Sequence, residues 1–406
     1  MYTQEEKTVL SFQGENLTRG IHKVHPYPAM LHPLLVDYLL EMFAKPNTIV
    51  FDPFCGSGVT LTQSAYKGYQ SYGFDINPLS LLIAKTKTDK YDIKLLEKEY
   101  QNLRSTIQTT HEYDVPDIPN IEYWYTQDVI KDLGTIRKVL QTNKYTYRDF
   151  FVTAFSFVCR NQSLTRNGEF KRYRVPNEKI MSFENKVLPT FFKHIETMIQ
   201  IIQDNHQPNH TSTPLLANSE NPISPNIKYD LVITSPPYGD SKTTVAYGQY
   251  SSFGLDWTKG LNSFGDVQYK VDNESLGKKG ELNDELLQHS VLKQIINLIE
   301  KEDGKRAQDV LFFFNGYYKA IKNTIHNLNP NGTVCFVVGN RTVKGHQIPM
   351  DQITASFLET CGLKIQDIFV RVISNKVMPH RNSPTNITGA TSATMTKEYI
   401  IIGKKN

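Results

Sequence analysis

The chain has 406 residues with a formal net charge of +4, and 39% of its residues are hydrophobic. This length suits two or three average domains or one enlarged domain, and the composition excludes disordered, collagenous and low-complexity chains. The apolar runs reach only about five residues, and the N-terminus carries two glutamates where a signal peptide would be basic. Four cysteines without a C-x-x-C pair argue against a zinc site. We expect a cytoplasmic protein with no metal and no membrane partner.

The first 85 residues show the pattern of a βαβ unit. A helix is predicted after the turn-rich segment HPYPAMLHP, and the β-branched segment TIVFDPF predicts a strand. That strand ends in the glycine turn CGSGVT, ahead of the helical segment LTQSAYKGY, and a second strand, SYGFDIN, follows. Parallel pairing through a right-handed crossover is expected for such a unit. We therefore predict a doubly wound, Rossmann-like α/β sheet, with residues 1–85 as its first part.

The remainder of the chain divides into two parts. Residues 86–212 are predominantly helical and polar, which predicts a helical insertion. Residues 213–406 return to the α/β pattern, beginning with the buried strand DLVIT, which two prolines stop. Residues 241–305 are predicted as an irregular loop followed by one helix near Leu286 to Ile299. The last two strands, KIQDIFVRVI and EYIIIGK, are expected to pair as an antiparallel edge of the sheet.

The glycine turn indicates a nucleotide-like ligand. Gly56 and Gly58 lack a Cβ, so the backbone can turn sharply at the crevice where open α/β sheets bind nucleotides. The third glycine of G-x-G-x-x-G and the lysine of a P-loop are both absent, so neither a pyrophosphate nor a triphosphate is expected. Asp75, at the end of the next strand, can accept two ribose hydroxyls. For either feature alone, an ordinary βα turn with Asp75 capping a helix stays an equal alternative.

A second signal is Ser235-Pro236-Pro237-Tyr238, directly after the strand DLVIT. The two prolines fix the backbone and present a hydroxyl and an aromatic ring, which makes a rigid platform for a planar group. For an isolated Pro-Pro-Tyr, a proline turn with a packed tyrosine is the better interpretation. Here the motif accompanies the glycine turn, which favours a functional role.

The segments DPFCGSGVT and TSPPYGD, preceded by HPYPAMLHP, resemble the motifs of S-adenosylmethionine-dependent DNA amino-methyltransferases. Ser-Pro-Pro-Tyr is similar to the cytosine-N4 group, whereas adenine-N6 enzymes usually have Asp or Asn before the prolines. The resemblance covers residues 21–85 and 213–406, and it leaves residues 86–212 as a candidate recognition region. It implies S-adenosylmethionine as the cofactor, double-stranded DNA as the substrate, and a cognate restriction endonuclease as a candidate partner.

The resemblance also implies residue roles. Ser235 and a carbonyl of the Pro-Pro unit would accept the amino hydrogens of a flipped base, and Tyr238 would stack on that base. The residues assigned to catalysis are Ser235, Pro236, Pro237 and Tyr238. The residues assigned to the cofactor are Tyr27, Pro28, Asp52, Phe54, Cys55, Gly56, Ser57, Gly58, Asp75, Asn77 and Asn218.

The sequence bears on several other activities. Methylation of cytosine at carbon 5 needs a cysteine nucleophile, typically after a proline, and none of the four cysteines follows one. The cofactor half precedes the catalytic half, unlike the order in many cytosine-N4 enzymes, so adenine-N6 methylation of DNA and guanine-N2 methylation of RNA stay open. A non-catalytic nucleic-acid-binding scaffold is an alternative from another class. A nicotinamide oxidoreductase is disfavoured by the missing third glycine.

Basic and aromatic residues interleave in CRNQSLTRNGEFKRYR, which is typical of a phosphate-binding strip, although a solvated helix end and loop is the alternative. A segment from Asp240 to Lys259, with Tyr247, Tyr250 and Trp257, is predicted to close over the base. The residues assigned to nucleic-acid binding are Arg160, Arg166, Lys171, Arg172, Arg174, Lys242, His380 and Arg381.

Overall fold

The structure is a computed structural model that describes residues 4–240, 244–373, 381–382, 392–393 and 395–406, with only the backbone described at 381–382 and 392–393. The strands are β1 (Gln4–Glu6), β2 (Ile49–Asp52), β3 (Gln70–Asp75), β4 (Ser212–Leu216), β5 (Tyr229–Thr234), β6 (Leu328–Val338), β7 (Thr342–Val343), β8 (His346–Gln347), β9 (Leu363–Val372), β10 (Arg381–Asn382), β11 (Ser392–Ala393) and β12 (Lys397–Lys405).

The helices alternate with the strands at both ends of the chain and follow one another in its middle. They are α1 (Pro33–Phe43), α2 (Val59–Tyr66), α3 (Pro78–Thr88), α4 (Ile93–Thr109), α5 (Ile121–Trp124), α6 (Gln127–Thr142), α7 (Arg148–Asn161), α8 (Asn177–Met181), α9 (Val187–Asp204), α10 (Tyr247–Trp257), α11 (Val271–Glu274), α12 (Ser290–Glu302), α13 (Gly304–Asn327) and α14 (Met350–Thr360). Short 3₁₀ helices span Thr8–Ser11, Gly20–Lys23 and Asp284–Gln288.

Eight strands form one sheet in the order β1-β9-β12-β6-β5-β2-β3-β4. All neighbouring pairs are parallel except those of β12, which runs antiparallel to both β6 and β9. The predicted α/β sheet and the pairing of the last two strands are therefore confirmed. The antiparallel strand does not lie at the edge, however. It pairs with β6 on one side and with β9 on the other, and the edge beside β9 is taken by β1, from the start of the chain.

The predicted βαβ unit is formed by β2, α2 and β3. The two strands pair in parallel from Ile49 opposite Gln70 to Asp52 opposite Gly73. A Cβ at Gly73 would lie 2.5 Å from Leu61 Cδ1 and 2.7 Å from Cys55 Cβ. Glycine at this position therefore lets α2 and the glycine turn pack directly onto β3, which places the turn at the carboxyl edge of the sheet.

The segment between β3 and β4 is helical, as predicted for residues 86–212. Its helices bury aromatic side chains in a cluster that also contains Ile21, Val24 and the α10 residues Phe253 and Trp257. The helical segment thus shares its core with elements outside it. That it forms a unit for DNA recognition stays a prediction.

The prediction for residues 241–305 was partly wrong, because α10 lies in the segment predicted as an irregular loop. This helix contains Gly248 and Gly254, and each glycine lowers the intrinsic helix propensity by about 1 kcal/mol. A Cβ at Gly254 would lie 2.9 Å from Leu79 Cδ2 and 3.3 Å from Ser156 Cβ, so the glycine permits close packing on α3 and α7. Among the described helices, none has the length and apolar character needed to cross a bilayer.

Candidate active site

A cleft opens where the carboxyl ends of β2, β3 and β5 meet. It has the position expected of a ligand site in an open α/β sheet. The residues that line it and that were assigned to the cofactor or to catalysis are Tyr27, Pro28, Asp52, Phe54, Cys55, Gly56, Ser57, Asp75, Asn77, Asn218, Ser235 and Pro237. The glycine turn and the serine-proline motif, far apart in sequence, therefore share one cleft.

A buried hydrogen bond ties these two motifs together. Asp52 Oδ1, at the end of β2, accepts the Thr234 hydroxyl at 2.6 Å and the Phe54 N–H at 3.0 Å. Burial raises the pKa of Asp52 to about 6. Because Thr234 directly precedes Ser235, this bond fixes the glycine turn relative to the serine-proline motif.

Asp75 closes the glycine turn from the other side. Its Oδ2 accepts the Gly56 N–H at 2.9 Å, and its Oδ1 accepts the Asn77 N–H at 2.8 Å. Burial raises the pKa of this carboxyl to about 6 as well. Each carboxylate oxygen keeps a further lone pair, so Asp75 can still accept two hydroxyls of a ligand.

Asn77 contributes to the cleft by orienting the side chains around it. Its side-chain nitrogen donates to the Tyr27 hydroxyl at 3.1 Å and to Ser251 Oγ at 2.7 Å, while its oxygen accepts the Leu79 N–H at the start of α3. Tyr27 in turn stacks on Tyr247, with ring centroids 6.0 Å apart. Asn77 therefore orients an aromatic wall rather than offering free polar atoms to a ligand.

The chemistry of the cleft fits a nucleoside that carries an amino-acid group. Ser57 Oγ is buried in the wall and has no hydrogen-bond partner among the described residues. Such an orphaned hydroxyl is costly unless a ligand or an ordered water satisfies it. Together with the two carboxylates and the aromatic wall, it suits a ligand with hydroxyl, ammonium and carboxylate groups.

The assignment of Gly58 to the cofactor site is not supported, because Gly58 does not line the cleft. It caps α2 with φ at 76°, and a Cβ there would lie 2.5 Å from Ala84 Cβ. Its lack of a Cβ lets α2 and α3 approach each other, which shapes the turn. Among the described residues, no group of three or more His, Cys, Asp or Glu side chains is placed to hold a metal ion.

The serine-proline motif is anchored from behind by the last strand. Ser235 Oγ lies 3.2 Å from the Tyr238 hydroxyl, which donates to Glu398 Oε1 at 3.0 Å. Burial raises the pKa of Tyr238. Ser235 and Pro237 line the cleft, whereas Pro236 is buried and Tyr238 lies beside the wall rather than in it.

Sequence reasoning missed part of the cleft wall. Tyr247 belongs to the segment predicted to close over the base, residues 29–31 lie in the HPYPAMLHP turn but were not assigned to the site, and residues 274–276 carried no motif. Glu220, also in the wall, follows the assigned Asn218 by two positions. The HPYPAMLHP turn was the available signal for residues 29–31, since it brackets them.

Comparisons with known proteins identify the family. Residues 3–86 match the family described as DNA methylase, which comprises N6 and N4 enzymes. Over 97% of its length the chain is 36% identical to the type II methyltransferase M.MvaI of Kocuria varians, of which it covers 93%. The chain belongs to the N6/N4 DNA methylase family. This methyltransferase uses S-adenosylmethionine as its methyl donor and DNA as its substrate.

Two further similarities are more distant. The type II methyltransferase M.BsoBI of Geobacillus stearothermophilus is 23% identical, with 88% of this chain and 81% of that protein covered. A solved S-adenosylmethionine-dependent methyltransferase from Methanosarcina mazei is 9% identical, with a TM-score of 0.34 and coverage of 94% and 98%.

The basic strip of the methyltransferase divides into buried and accessible residues. Arg160 is only 8% exposed, donates to the carbonyls of Tyr250 at 3.2 Å and Glu169 at 2.6 Å, and stacks on the Tyr250 ring. Its assignment to phosphate binding was wrong, because its charge is used inside the protein. Trp257 was also misplaced, since it is fully buried in the helical core.

The other basic residues of the strip stay accessible. Arg166 is exposed and Lys171 is half-buried. Arg172 packs against the rings of Trp124 and Phe253, and Arg174 packs on the ring of Tyr123 at 4.2 Å. Among the described residues, none of these four has a carboxylate within ion-pair distance. Lys242 and His380 lie outside the described residues, as does the side chain of Arg381.

A second groove connects this strip with the cleft. It is lined by Arg172, Tyr123 and Trp124 at one end, and it shares Val271, Ser275 and Leu276 with the cleft. The lysines in its wall are Lys259, Lys270, Lys278 and Lys279. The wall also contains five aspartates, Asp240, Asp256, Asp266, Asp272 and Asp309, so the concave surface that leads to the cleft carries charges of both signs.

Proposed function

We propose that this methyltransferase transfers the methyl group of S-adenosylmethionine to the exocyclic N4 amine of a cytosine flipped out of double-stranded DNA. The observation that carries the proposal is that Ser235 and Pro237 line the same cleft as Gly56 and Asp75. A serine before the two prolines, as in the cytosine-N4 group that the motif resembles, favours cytosine over adenine.

The cleft residues would hold the cofactor by their chemistry. Asp75 would accept the ribose hydroxyls with its remaining lone pairs, and the orphaned Ser57 hydroxyl would bind the amino-acid end beside Tyr27 and Pro28. Asn218, which also lines the cleft, would contact the adenine. When bound, S-adenosylmethionine supplies an activated methyl group on a sulfonium centre.

The serine-proline motif would prepare the amine. The lone pair of an exocyclic amine is delocalised into the base ring, so it must be localised before it can attack. Ser235 Oγ can accept one amino hydrogen, and a carbonyl of Pro236 or Pro237 can accept the other, since no described backbone N–H donates to either carbonyl. Two acceptors placed in this way favour a tetrahedral nitrogen and orient it for transfer.

Base flipping costs a few kcal/mol. Tyr238, half-buried beside Ser235, would offset part of this cost by stacking, which is worth roughly 1 to 3 kcal/mol for base–aromatic contacts. The face of the ring that is not packed against Gly339 would stack on the base, with the hydroxyl kept on Glu398. The partial exposure of the ring supports this role.

DNA would bind along the basic strip and the adjoining groove. Arg166, Lys171, Arg172 and Arg174 would neutralise phosphates, and the exposed rings of Phe170 and Tyr173 lie between them in sequence. We infer that residues 86–212 recognise the DNA. We further infer that the enzyme acts in the cytoplasm as the modification partner of a restriction endonuclease.

Nucleoside analysis tests the proposed reaction. The purified protein is incubated without metal ions with labelled S-adenosylmethionine and either plasmid DNA or tRNA, and the nucleic acid is digested to nucleosides. The proposal expects label in N4-methylcytosine from DNA. Label in N6-methyladenine would reassign the target base, and label only in tRNA would contradict DNA modification.

A further inference from the structure

A hydrogen-bonded chain runs from the catalytic motif to the last strand of the sheet. Ser235 Oγ lies 3.2 Å from the Tyr238 hydroxyl, and this hydroxyl donates to Glu398 Oε1 at 3.0 Å. The other carboxylate oxygen, Glu398 Oε2, accepts Arg371 Nε at 2.7 Å and its Nη2 at 2.7 Å. Arg371 also donates to the carbonyl of Leu10 at 3.2 Å.

The chemistry of this chain fixes the direction of each hydrogen bond. An ionised carboxylate only accepts hydrogen bonds, and a tyrosine hydroxyl has one hydrogen to give. Because the Tyr238 hydrogen points to Glu398, the bond between Ser235 and Tyr238 must use the hydrogen of Ser235. On the side of the cleft, Ser235 Oγ then has only lone pairs. It can therefore accept a hydrogen bond from the substrate amine.

We propose that Glu398 is a positioning residue for methyl transfer, which holds Tyr238 and thereby makes the Ser235 hydroxyl an acceptor for the substrate amine. The inference rests on the proposed function only in that the substrate is an exocyclic amine. It applies equally to cytosine N4 and adenine N6. No motif pointed to Glu398, which is 160 residues from Tyr238 in the sequence.

The surroundings keep the members of the chain in place. Arg371 and Glu398 are only 8% and 13% exposed in their side chains, so the pair is protected from water and salt. A Cβ at Gly339 would lie 2.9 Å from Tyr238 Cδ2, so the ring packs directly against the backbone at the end of β6. Tyr238 therefore has little freedom to turn its hydroxyl away from Glu398.

A double-mutant cycle tests this role. Glu398→Gln keeps the size of the side chain but offers an amide that can donate as well as accept, and Tyr238→Phe removes the linking hydroxyl while leaving the pair of Glu398 and Arg371 intact. Each substitution should lower kcat by about ten-fold or more, with the KM for S-adenosylmethionine unchanged. The double variant should be no slower than the slower single variant, because both substitutions break one chain.

The controls separate this inference from the proposed function. Lys397→Gln, which removes an exposed partner of Glu6 on the same strand, should keep the wild-type kcat. The role of Glu398 would be overturned if the fold-losses of kcat in the two single variants multiply in the double variant. A wild-type kcat for Tyr238→Phe would overturn it too. If Glu398→Gln does not fold, Tyr238→Phe alone decides. The methylated nucleoside made by the wild-type protein tests the proposed function separately, since its identity does not depend on these rate ratios.

Discussion

The Asp52 carboxylate accepts the Thr234 hydroxyl at 2.6 Å, although the two residues are 182 positions apart in the sequence. Both side chains are almost fully buried, so the bond is shielded from water. It joins the ends of two neighbouring parallel strands, one leading into the glycine turn and the other into the serine-proline motif. This buried hydrogen bond thus connects the two halves of the candidate site.

Asp75→Ala should weaken the binding of S-adenosylmethionine. A hydrogen bond to a charged group contributes about 1.5 to 3 kcal/mol, so the loss of the carboxylate should raise the Kd by at least about ten-fold. Calorimetry measures this, and DNA affinity should stay unchanged. Asp367→Ala, which removes an exposed carboxylate of β9, is the control. An unchanged Kd for Asp75→Ala would show that Asp75 does not bind the cofactor.

Gly58→Ala should destabilise the fold more than Gly68→Ala. Both glycines have positive φ, at 76° and 87°, so an alanine is strained at either position. Only at Gly58 would the new Cβ also collide with Ala84, at 2.5 Å, and overpacking typically adds about 1 to 3 kcal/mol. Urea unfolding of the two variants measures the difference. Equal losses of stability would show that the contact between α2 and α3 is not tight.

The predicted sheet and the cleft follow from local sequence, whereas several functional details depend on distant contacts. The βαβ unit was readable because glycines, a β-branched strand and an aspartate occur within one short stretch. The inner position of β12 was not readable, since it depends on β12 pairing with β6 as well as with β9. The same holds for Glu398, which reaches Tyr238 only through the sheet.

The basic strip shows a second limit of sequence reasoning. Arg160 and Arg166 look alike in a pattern of interleaved charges and rings, yet one is buried on the Tyr250 ring and the other is exposed. The difference arises because Arg160 lies in the last turn of α7 and faces the helical core. Helix α10, which covers Arg160, was not predicted, because its two glycines lower its helix propensity.

Replacing Arg166 and Lys171 together by glutamine should reduce the salt dependence of DNA binding. Each phosphate contact contributes about 0.9 to the slope of log K against log salt, so the loss of two contacts should reduce the slope by about 1.8. Fluorescence anisotropy at several salt concentrations measures it. Arg104→Gln on α4, where the arginine pairs with Glu196, is the control. If the wild type, the double variant and Arg104→Gln all show the same slope, Arg166 and Lys171 do not contact phosphates.

Lys87→Met should make the protein more stable at pH 7. Lys87 is 1% exposed, its amine has no hydrogen-bond partner among the described residues, and burial lowers its pKa to about 7. The unfolded chain keeps this proton up to about pH 10.4, so the lysine makes wild-type stability rise with pH between these values, by at most about 1.4 kcal/mol per pH unit. The methionine variant lacks this contribution.

The difference in unfolding free energy between the Lys87→Met variant and the wild type, measured in urea at pH 7, 8 and 9, should therefore shrink as the pH rises. Nearby titrating groups, including Cys55 and His22, contribute to both proteins and largely cancel in the difference. Lys90→Met replaces an exposed lysine after α3 and should show no such trend. A difference that does not vary with pH would mean that the Lys87 amine keeps its charge inside the fold.

The most direct test of the site is to measure cofactor binding and methyl transfer side by side in Ser235→Ala. If one half of the cleft holds the cofactor and the other holds the amine, the Kd for S-adenosylmethionine should stay within about two-fold of the wild type, while turnover on DNA falls by at least about 100-fold. Wild-type turnover in this variant would contradict the account, because the amine would then be held by other residues.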